Sequence, residues 1–385
     1  MSQAQFRARA RRLRDARRIV VKVGSALLVE AATGRLNRSW LESLADDLAR
    51  AARRGQQLIV VSSGAIAMGR RHLGLGRERL RLEESQAAAA VGQIRLAHAW
   101  QEVLEARGFA VAQVLLTFED TEERQRYLNA RATLNTLLSL GAVPVINEND
   151  TVATAEIRYG DNDRLAARVA QMASAECVVL LSDVDGLYTA DPGRDPRATL
   201  IPEVHEITPE LEALATGPSS GLGSGGMTTK VAAAQIALAA GCSLCIASGH
   251  RLNPLKAVEG GAPCTWFVAE ATPVAVRKQW IAGTLKPRGR LYIDSGAAQA
   301  LARGKSLLPA GVTRVAGRFE RGDTVSIFAG AAELARGLSG YSSGDAALIA
   351  GRRSADIEAL VGYRGRDELV HRDDLVMLRA RRAAE

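Results

Sequence analysis

The chain has 385 residues, of which 47% are hydrophobic and 24% charged, as in ordinary globular proteins. This length exceeds what one hydrophobic core normally organises, so two domains are expected. No apolar run is long enough to cross a bilayer, and no apolar segment follows the basic start. These features argue against a membrane protein and predict a cytoplasmic one.

The net charge of +8 is concentrated at the start of the chain. Residues 1–18 hold seven arginines against one acid, Asp15. Such an arm could contact nucleic acid, but a solvated leader helix is the favoured interpretation.

Residues 19–270 alternate short apolar runs with longer helical patterns. The apolar runs are continuous, as expected for strands that are covered by helices on both faces. This pattern predicts an α/β domain, a three-layer sandwich with a mostly parallel central sheet. The predicted strands are 19–23, 58–61, 111–116, 143–146, 178–181 and 244–247.

Small and polar residues follow four of these strands, where open α/β sheets bind ligands. Any one of these groups could be a simple turn, but four in succession favour a site. They are Gly24-Ser25, Ser62-Ser63-Gly64, Asn147-Glu-Asn-Asp150 and Ser182-Asp183.

Two of the six lysines lie in segments suited to holding phosphate. Lys22 is near the end of the first strand, and Lys230 follows the glycine run 221–226 at the start of a predicted helix. A lysine beside bare backbone and a helix N-terminus favours contact with a small anion. The glycine run lacks the strand context of a dinucleotide fingerprint and the Walker spacing, so the remaining alternative is a mobile linker.

A second cluster pairs Asn147-Glu-Asn-Asp150 with Gly160-Asp-Asn-Asp163. In this interpretation Asp150 receives a substrate ammonium and Asn162 hydrogen-bonds a carboxylate. Asp163 orients a lysine or the metal-bearing nucleotide. Either segment alone could be a turn.

Cys242-Ser-Leu-Cys245 has the spacing of a redox or zinc pair. It lies in a predicted strand, where residues three apart point to opposite faces. Buried, inert cysteines are therefore predicted, and no metal site is expected.

A linker or short bridging helix is predicted at 271–287, between Thr272-Pro273 and Lys286-Pro287. Residues 288–378 then give short strands separated by glycines, which predicts a small β-rich domain. Its strands are predicted at 290–293, 312–319, 324–328 and 375–378.

These motifs, taken together, resemble the amino-acid kinase family, and the tail resembles a PUA domain, a module best known for binding RNA. The resemblance covers residues 19–375, with Ser182 standing where threonine is expected. It rests on Val20-Val-Lys-Val-Gly-Ser25, Val61-Ser-Ser-Gly-Ala-Ile-Ala-Met-Gly69, Asn129-Ala-Arg131, Pro144-Val-Ile-Asn-Glu-Asn-Asp-Thr-Val-Ala-Thr154, Gly160-Asp-Asn-Asp163, Asp185-Gly-Leu-Tyr-Thr-Ala-Asp-Pro192, Ser220-Gly-Leu-Gly-Ser-Gly-Gly-Met-Thr-Thr-Lys230 and Arg288-Gly-Arg-Leu-Tyr-Ile-Asp-Ser-Gly-Ala297.

The resemblance implies transfer of the γ-phosphoryl group of ATP to the side-chain carboxylate of L-glutamate, the first step toward proline, with feedback inhibition by proline. Lys22 and Lys230 would neutralise the migrating group, Asp163 would hold both lysines, and Mg²⁺ would arrive with ATP. Glutamate would be bound by Ser63, Asp150 and Asn162. ATP would contact Lys22, Ser182, Asp183, Ser224, Gly225, Gly226, Met227, Thr228, Thr229 and Lys230.

The resemblance further implies a homo-oligomer, dimer or tetramer, and glutamate-5-semialdehyde dehydrogenase as functional partner. Two alternatives stay open. One is a related kinase acting on a different carboxylate or carbamate. The other is an RNA-binding protein, although aromatic residues make up only 4% of the chain and the tail shows no basic–aromatic stripe suited to stacking bases.

Overall fold

The computed structural model describes residues 12–30, 33–76, 78, 80–152, 162–215, 226–283 and 286–378. The chain divides into two compact units, Met1–Pro273 and Val274–Glu385. The predicted domain limits at 18, 270 and 287 stay a prediction. The predicted site residues Ser224 and Gly225 lie outside the described residues.

The first unit is built on an eight-stranded sheet with strand order β3-β4-β2-β1-β5-β7-β8-β6. All neighbouring strands run parallel except β7 and β8, which are antiparallel. The strands are β1 Arg18–Val23, β2 Gln57–Ser62, β3 Val111–Leu116, β4 Val143–Glu148, β5 Cys177–Ser182, β6 Glu203–Val204, β7 Ser243–Ser248 and β8 Cys264–Phe267.

Helices cover both faces of this sheet, which confirms the predicted three-layer α/β sandwich. One apolar core contains Trp40, Trp100 and Leu255; the other contains Leu138 and Val169. The described helices of this unit are Ser25–Leu28, Arg38–Ala52, Ala65–His72, Leu82–Glu105, Phe118–Glu122, Arg124–Ser139, Asn162–Ala173, Pro209–Ala215, Met227–Ala239 and Pro254–Glu259.

Sequence pattern located the long strands within two residues at each end, because their side chains are buried on both faces. It missed β6 and β8, which are only two and four residues long. Among the described helices, none combines the length and apolar character needed to cross a bilayer.

The described end of the predicted leader packs against the first unit. Leu13 is 1% exposed and Ala16 is 7% exposed, while Arg12 pairs with Glu203 at 2.7 Å. Residues 12–18 are therefore not the solvated helix that charge alone suggested, since apolar residues between the arginines supply a buried face.

All four cysteines are buried. Cys245 lies in the same core as Trp40, whereas Cys242 lies in the core on the opposite face of the sheet. The prediction that Cys242 and Cys245 are buried and point to opposite faces of the sheet is confirmed.

The second unit contains a five-stranded sheet with order β10-β9-β11-β12-β13. Helix Pro273–Gly283 occupies most of the predicted linker. The alanine-rich stretch 329–335 gave no strand signal, yet most of it belongs to β12, which pairs with β11 and β13. The elements are β9 Gly289–Ile293, β10 Val312–Gly317, β11 Thr324–Ala329, β12 Ala332–Leu338, β13 Leu375–Met377, and helices Ser295–Ala302, Ser343–Ile349 and Ile357–Val361.

A basic–aromatic cluster lies on this second sheet, although the sequence of the tail shows no basic–aromatic stripe. Tyr292 stacks on Phe328 with ring centroids 5.5 Å apart, and the Arg314 guanidinium lies 3.8 Å from the Tyr292 ring centroid. The three residues come from different strands placed side by side by register, so no linear stripe announces them.

Candidate active site

Two ammonium groups meet on one buried carboxylate. Lys22 Nζ lies 2.6 Å from Asp163 Oδ1, and Lys230 Nζ lies 3.0 Å from Asp163 Oδ2. The three residues are 8%, 1% and 3% exposed, respectively. The trio holds two positive charges against one negative charge, so it is suited to attract an anion.

The fold explains why residues so distant in sequence converge. Lys22 lies on β1, which pairs with β2 on one side and β5 on the other. Asp163 is in the first turn of helix Asn162–Ala173, and Lys230 is in the first turn of helix Met227–Ala239. Both helices contribute to the core on the same face of the sheet, which brings their first turns together.

The charge state of Asp163 depends on its two partners. Burial by itself would raise the pKa of this carboxyl, but the ammonium groups of Lys22 and Lys230 outweigh burial and hold the pKa below its ordinary value. Asp163 therefore stays ionised at neutral pH, and Thr229 Oγ1 also donates to its Oδ2 at 3.2 Å.

A cavity of about 590 Å³, a size typical of small-molecule sites, is lined by one member of this trio. Lys230 lines it together with Gly226 and Met227 at the helix start. Gly226 is the N-cap, and no side chain caps the first turn, where the N–H of Thr229 donates to the Gly226 carbonyl at 3.2 Å. A helix start of this kind is suited to an anion.

The other residues predicted to contact ATP fall into two groups. Asp183 lines the cavity, and Ser182 next to it donates to Asp183 Oδ1 at 2.9 Å. Thr228 and Thr229 instead use their hydroxyls within the protein, since Thr228 Oγ1 donates to the carbonyl of Ala215 at 2.9 Å. These two hydroxyls therefore help to position the start of helix Met227–Ala239.

The predicted substrate residues gather on the other side of β1. Asn162 Nδ2 donates to Ser63 Oγ at 2.7 Å and to Asn147 Oδ1 at 3.1 Å. Ser63 follows β2 and precedes Gly64. Gly64 is the N-cap of helix Ala65–His72 and has a φ of 112°. Since Asn162 directly precedes Asp163, the amide cluster and the ammonium pair are joined in one helical turn.

Asp150 lies just past the end of β4 and is 8% exposed. Burial, with a smaller contribution from the negative charge of Glu148, raises its pKa to about 7. A carboxyl group in this condition gains from a cationic ligand, which would stabilise its ionised form.

The carboxyl ends of the strands thus form two groups around β1. Ser63 and Asp150 follow β2 and β4 on one side, while Ser182 and Ser248 end β5 and β7 on the other. Strand order reverses direction at β1, and the crevice at such a point is where open α/β sheets bind ligands.

Sequence reasoning missed the far wall of the cavity. Ser248, Arg251 and Pro254 line it, although no motif marked the segment that follows β7. The end of a sixth predicted strand was the available signal, since the same rule had identified the other four strand ends.

Helix Arg38–Ala52 holds this wall in place. Asp47 is fully buried, and its Oδ2 accepts from the backbone N–H of Lys256 at 3.0 Å. Asn253 Nδ2 donates to the Ser43 carbonyl at 2.9 Å. These contacts span more than 200 residues of sequence, so local pattern could not reveal them.

Comparison with known proteins identifies two domain families in this chain. Residues 17–248 match the model of the amino acid kinase family, and residues 289–361 match the PUA domain. The chain belongs to the amino acid kinase family.

Proteins called glutamate 5-kinase are among the curated relatives of this family member. The one from Paramagnetospirillum magneticum is 63% identical over 95% of this chain and 99% of its own length. Glutamate 5-kinase 1 of Mesorhizobium japonicum is 60% identical over 96% of this chain and 97% of its own length. The protein from Dinoroseobacter shibae is 59% identical over 95% and 99%, respectively.

Membership in the amino acid kinase family confirms two predictions made from motifs. The chain is a kinase, and a PUA domain follows its kinase domain. The match also gives the two-lysine arrangement a chemical context, because phosphoryl transfer requires charge neutralisation around the migrating group.

Proposed function

We propose that this kinase transfers the γ-phosphoryl group of ATP to the side-chain carboxylate of L-glutamate. A carboxylate oxygen attacks the γ-phosphorus, the bond to the β–γ bridging oxygen breaks, and ADP leaves with γ-glutamyl phosphate as the second product. The paired ammonium groups of Lys22 and Lys230 on Asp163 are the observation that carries this proposal. The names of the relatives support glutamate as the acceptor.

The site residues suit a reaction that needs alignment more than proton transfer. The side chain of free glutamate has a pKa of about 4.3, so the acceptor is already ionised at neutral pH. Lys22 and Lys230 would neutralise charge on the equatorial oxygens of the migrating group. Asp163, ionised and buried, would keep both ammonium groups aimed at one point.

The residues of the cavity are compatible with Mg²⁺ carried by ATP. Both oxygens of Asp163 face lysines, so this carboxylate is not an open metal ligand. The carboxylates of Asp183 and Asp185 line the cavity, and oxygen donors of this kind together with phosphates are the usual ligands of Mg²⁺. When bound, the ion would neutralise phosphate charge.

Trapping the product with hydroxylamine tests the proposal. Purified protein, ATP–Mg²⁺ and L-glutamate are expected to yield γ-glutamyl hydroxamate in proportion to ADP. L-Aspartate, N-acetyl-L-glutamate and carbamate serve as competing acceptors. Faster acyl phosphate formation from any of these than from L-glutamate would transfer the assignment to another acceptor.

The pH dependence of glutamate use should reflect Asp150. Its pKa of about 7 means that the ionised form, which can pair with a substrate ammonium, increases as pH rises. We expect kcat/KM for glutamate to rise about tenfold from pH 6 to pH 8, while KM for ATP changes little.

The Asp150→Asn variant is the control for that profile. It should bind glutamate weakly at every pH, with kcat/KM nearly flat through the same range. A wild-type profile without a rise between pH 6 and pH 8 would contradict the role of Asp150.

The proposal extends to the place of the reaction in metabolism. An acyl phosphate hydrolyses readily, so a reductase such as glutamate-5-semialdehyde dehydrogenase must consume it promptly. We include proline as a feedback inhibitor competing with glutamate and a homo-oligomeric enzyme in the same proposal. Adding proline to the hydroxylamine assay should raise the apparent KM for glutamate.

The Tyr292 cluster of the second unit gives no support to RNA binding through base stacking. Arg314 covers one face of Tyr292 and Phe328 stacks beside it, so this aromatic surface is already engaged within the protein. Base stacking needs an available aromatic face.

A further inference from the structure

A chain of amide hydrogen bonds connects helix Leu82–Glu105 to the acceptor side of the site. Gln93 Oε1 accepts from Asn147 Nδ2 at 2.8 Å. Asn147 Oδ1 accepts from Asn162 Nδ2 at 3.1 Å, and the same nitrogen donates to Ser63 Oγ at 2.7 Å. Asn147 and Asn162 are 2% and 3% exposed.

These contacts use both hydrogens of Asn162 Nδ2 but do not involve its oxygen, Oδ1. Asn162 Oδ1 is buried and has no hydrogen-bond partner among the described residues. A buried acceptor without a partner costs about 1–3 kcal/mol, which a ligand that donates a hydrogen bond would recover. With both hydrogens of Nδ2 bonded within the protein, the remaining acceptor Oδ1 suits a donor group on a ligand, and the sequence-based prediction that Asn162 hydrogen-bonds a carboxylate stays a prediction.

The donor and acceptor roles along this chain of amide hydrogen bonds depend on one another. Asn147 gives its nitrogen to Gln93 and accepts at its oxygen from Asn162, so reversing Asn147 alone would set like atoms against each other at both contacts. The orientation of Asn162 is therefore coupled, through Asn147, to that of Gln93. No sequence motif marked Gln93.

We propose that Gln93 is a positioning residue that, through Asn147, turns Asn162 Oδ1 toward the acceptor and thereby selects acceptors that carry an ammonium group. This inference rests on the proposed function, since it assigns the α-ammonium of glutamate to Asn162 Oδ1 alongside Asp150. A dicarboxylate that lacks the ammonium leaves this oxygen unpaired and binds weakly.

Two substitutions with opposite hydrogen-bonding ability test the assignment. Gln93→Glu keeps an acceptor for Asn147 Nδ2 and cannot donate, whereas Gln93→Met is similar in size, cannot donate and offers only a weak sulfur acceptor. Calorimetry on the full chain would give the Kd of L-glutamate and of glutarate, which differ only in the ammonium. The measured quantity is the ratio of the glutarate Kd to the glutamate Kd.

We expect Gln93→Met to lower this ratio about tenfold, as for the loss of one buried hydrogen bond. Gln93→Glu should keep the ratio at or above the wild-type value, with KM for ATP unchanged in both variants. An unchanged ratio in Gln93→Met would overturn the inference, and this includes the case in which both ligands bind more weakly by the same factor. So would an equal fall in Gln93→Glu, because Gln93 would then be a donor.

Failure of this inference differs from failure of the proposed function. The proposed function fails if wild-type protein forms no acyl phosphate from glutamate. The inference fails on the ratio of two dissociation constants, which calorimetry measures without turnover.

Discussion

Replacing Lys22 by arginine is expected to lower kcat by about 10²–10³-fold while the protein remains folded. The ammonium of Lys22 is 2.6 Å from Asp163 Oδ1, and Lys22 as a whole residue is only 8% exposed. A guanidinium keeps the charge but is planar and larger, so it cannot present a compact point charge beside a phosphoryl group. KM for either substrate should change much less than kcat.

An exposed lysine supplies the matched control for this prediction. Lys305→Arg makes the same chemical change in the second unit, where the side chain lies at the surface, and should leave kcat unaltered. Thermal unfolding of Lys22→Arg should resemble that of wild type, because Asp163 retains Lys230 as a partner. If Lys22→Arg keeps more than a third of the wild-type kcat, the proposed role of Lys22 in phosphoryl transfer is wrong.

Adding one methyl group at Gly69 is expected to destabilise the first unit by about 3 kcal/mol or more. A Cβ there would lie 1.7 Å from the carbonyl oxygen of Ala88. The reciprocal contact is equally close, since a Cβ on Gly92 would lie 1.7 Å from the carbonyl oxygen of Ala65. Helices Ala65–His72 and Leu82–Glu105 thus touch through backbone, which cannot yield as a side chain can.

Separating these helices should also weaken glutamate binding, because one begins next to Ser63 and the other carries Gln93 beside Gly92. For Gly69→Ala we expect a thermal midpoint several degrees lower and a raised KM for glutamate. Gly76→Ala is the control, since a Cβ at Gly76 meets nothing within 4 Å. Equal midpoints for the two variants would show that the helices can part without cost.

Sequence pattern predicted the sandwich because its strands are buried on both faces and their ends carry polar residues. Lys22 and Lys230 could be predicted as site residues for a further reason. Lys22 lies near the end of a strand and Lys230 follows a glycine run, so both are next to backbone that few side chains cover. Their joint pairing with Asp163 fits that reasoning, although their roles remain proposals.

The parts that escaped prediction depend on contacts between distant segments. Gln93 is one polar residue on a long helix, and only the register of Asn147 gives it meaning. Asp47 resembles any helical aspartate until the backbone of Lys256 is seen to donate to it. The surroundings of Tyr292 likewise arise from strand pairing, which a linear pattern does not encode.

The reversal of strand order at β1 places Ser63 and Asp150 after β2 and β4, and the proposed nucleotide cavity next to β5 and β7. Substitutions in the loops after β2 and β4 can therefore alter acceptor preference with little effect on the cavity. Asn162 is the exception: it is adjacent to Asp163 in one helix, so a substitution there affects both halves of the site.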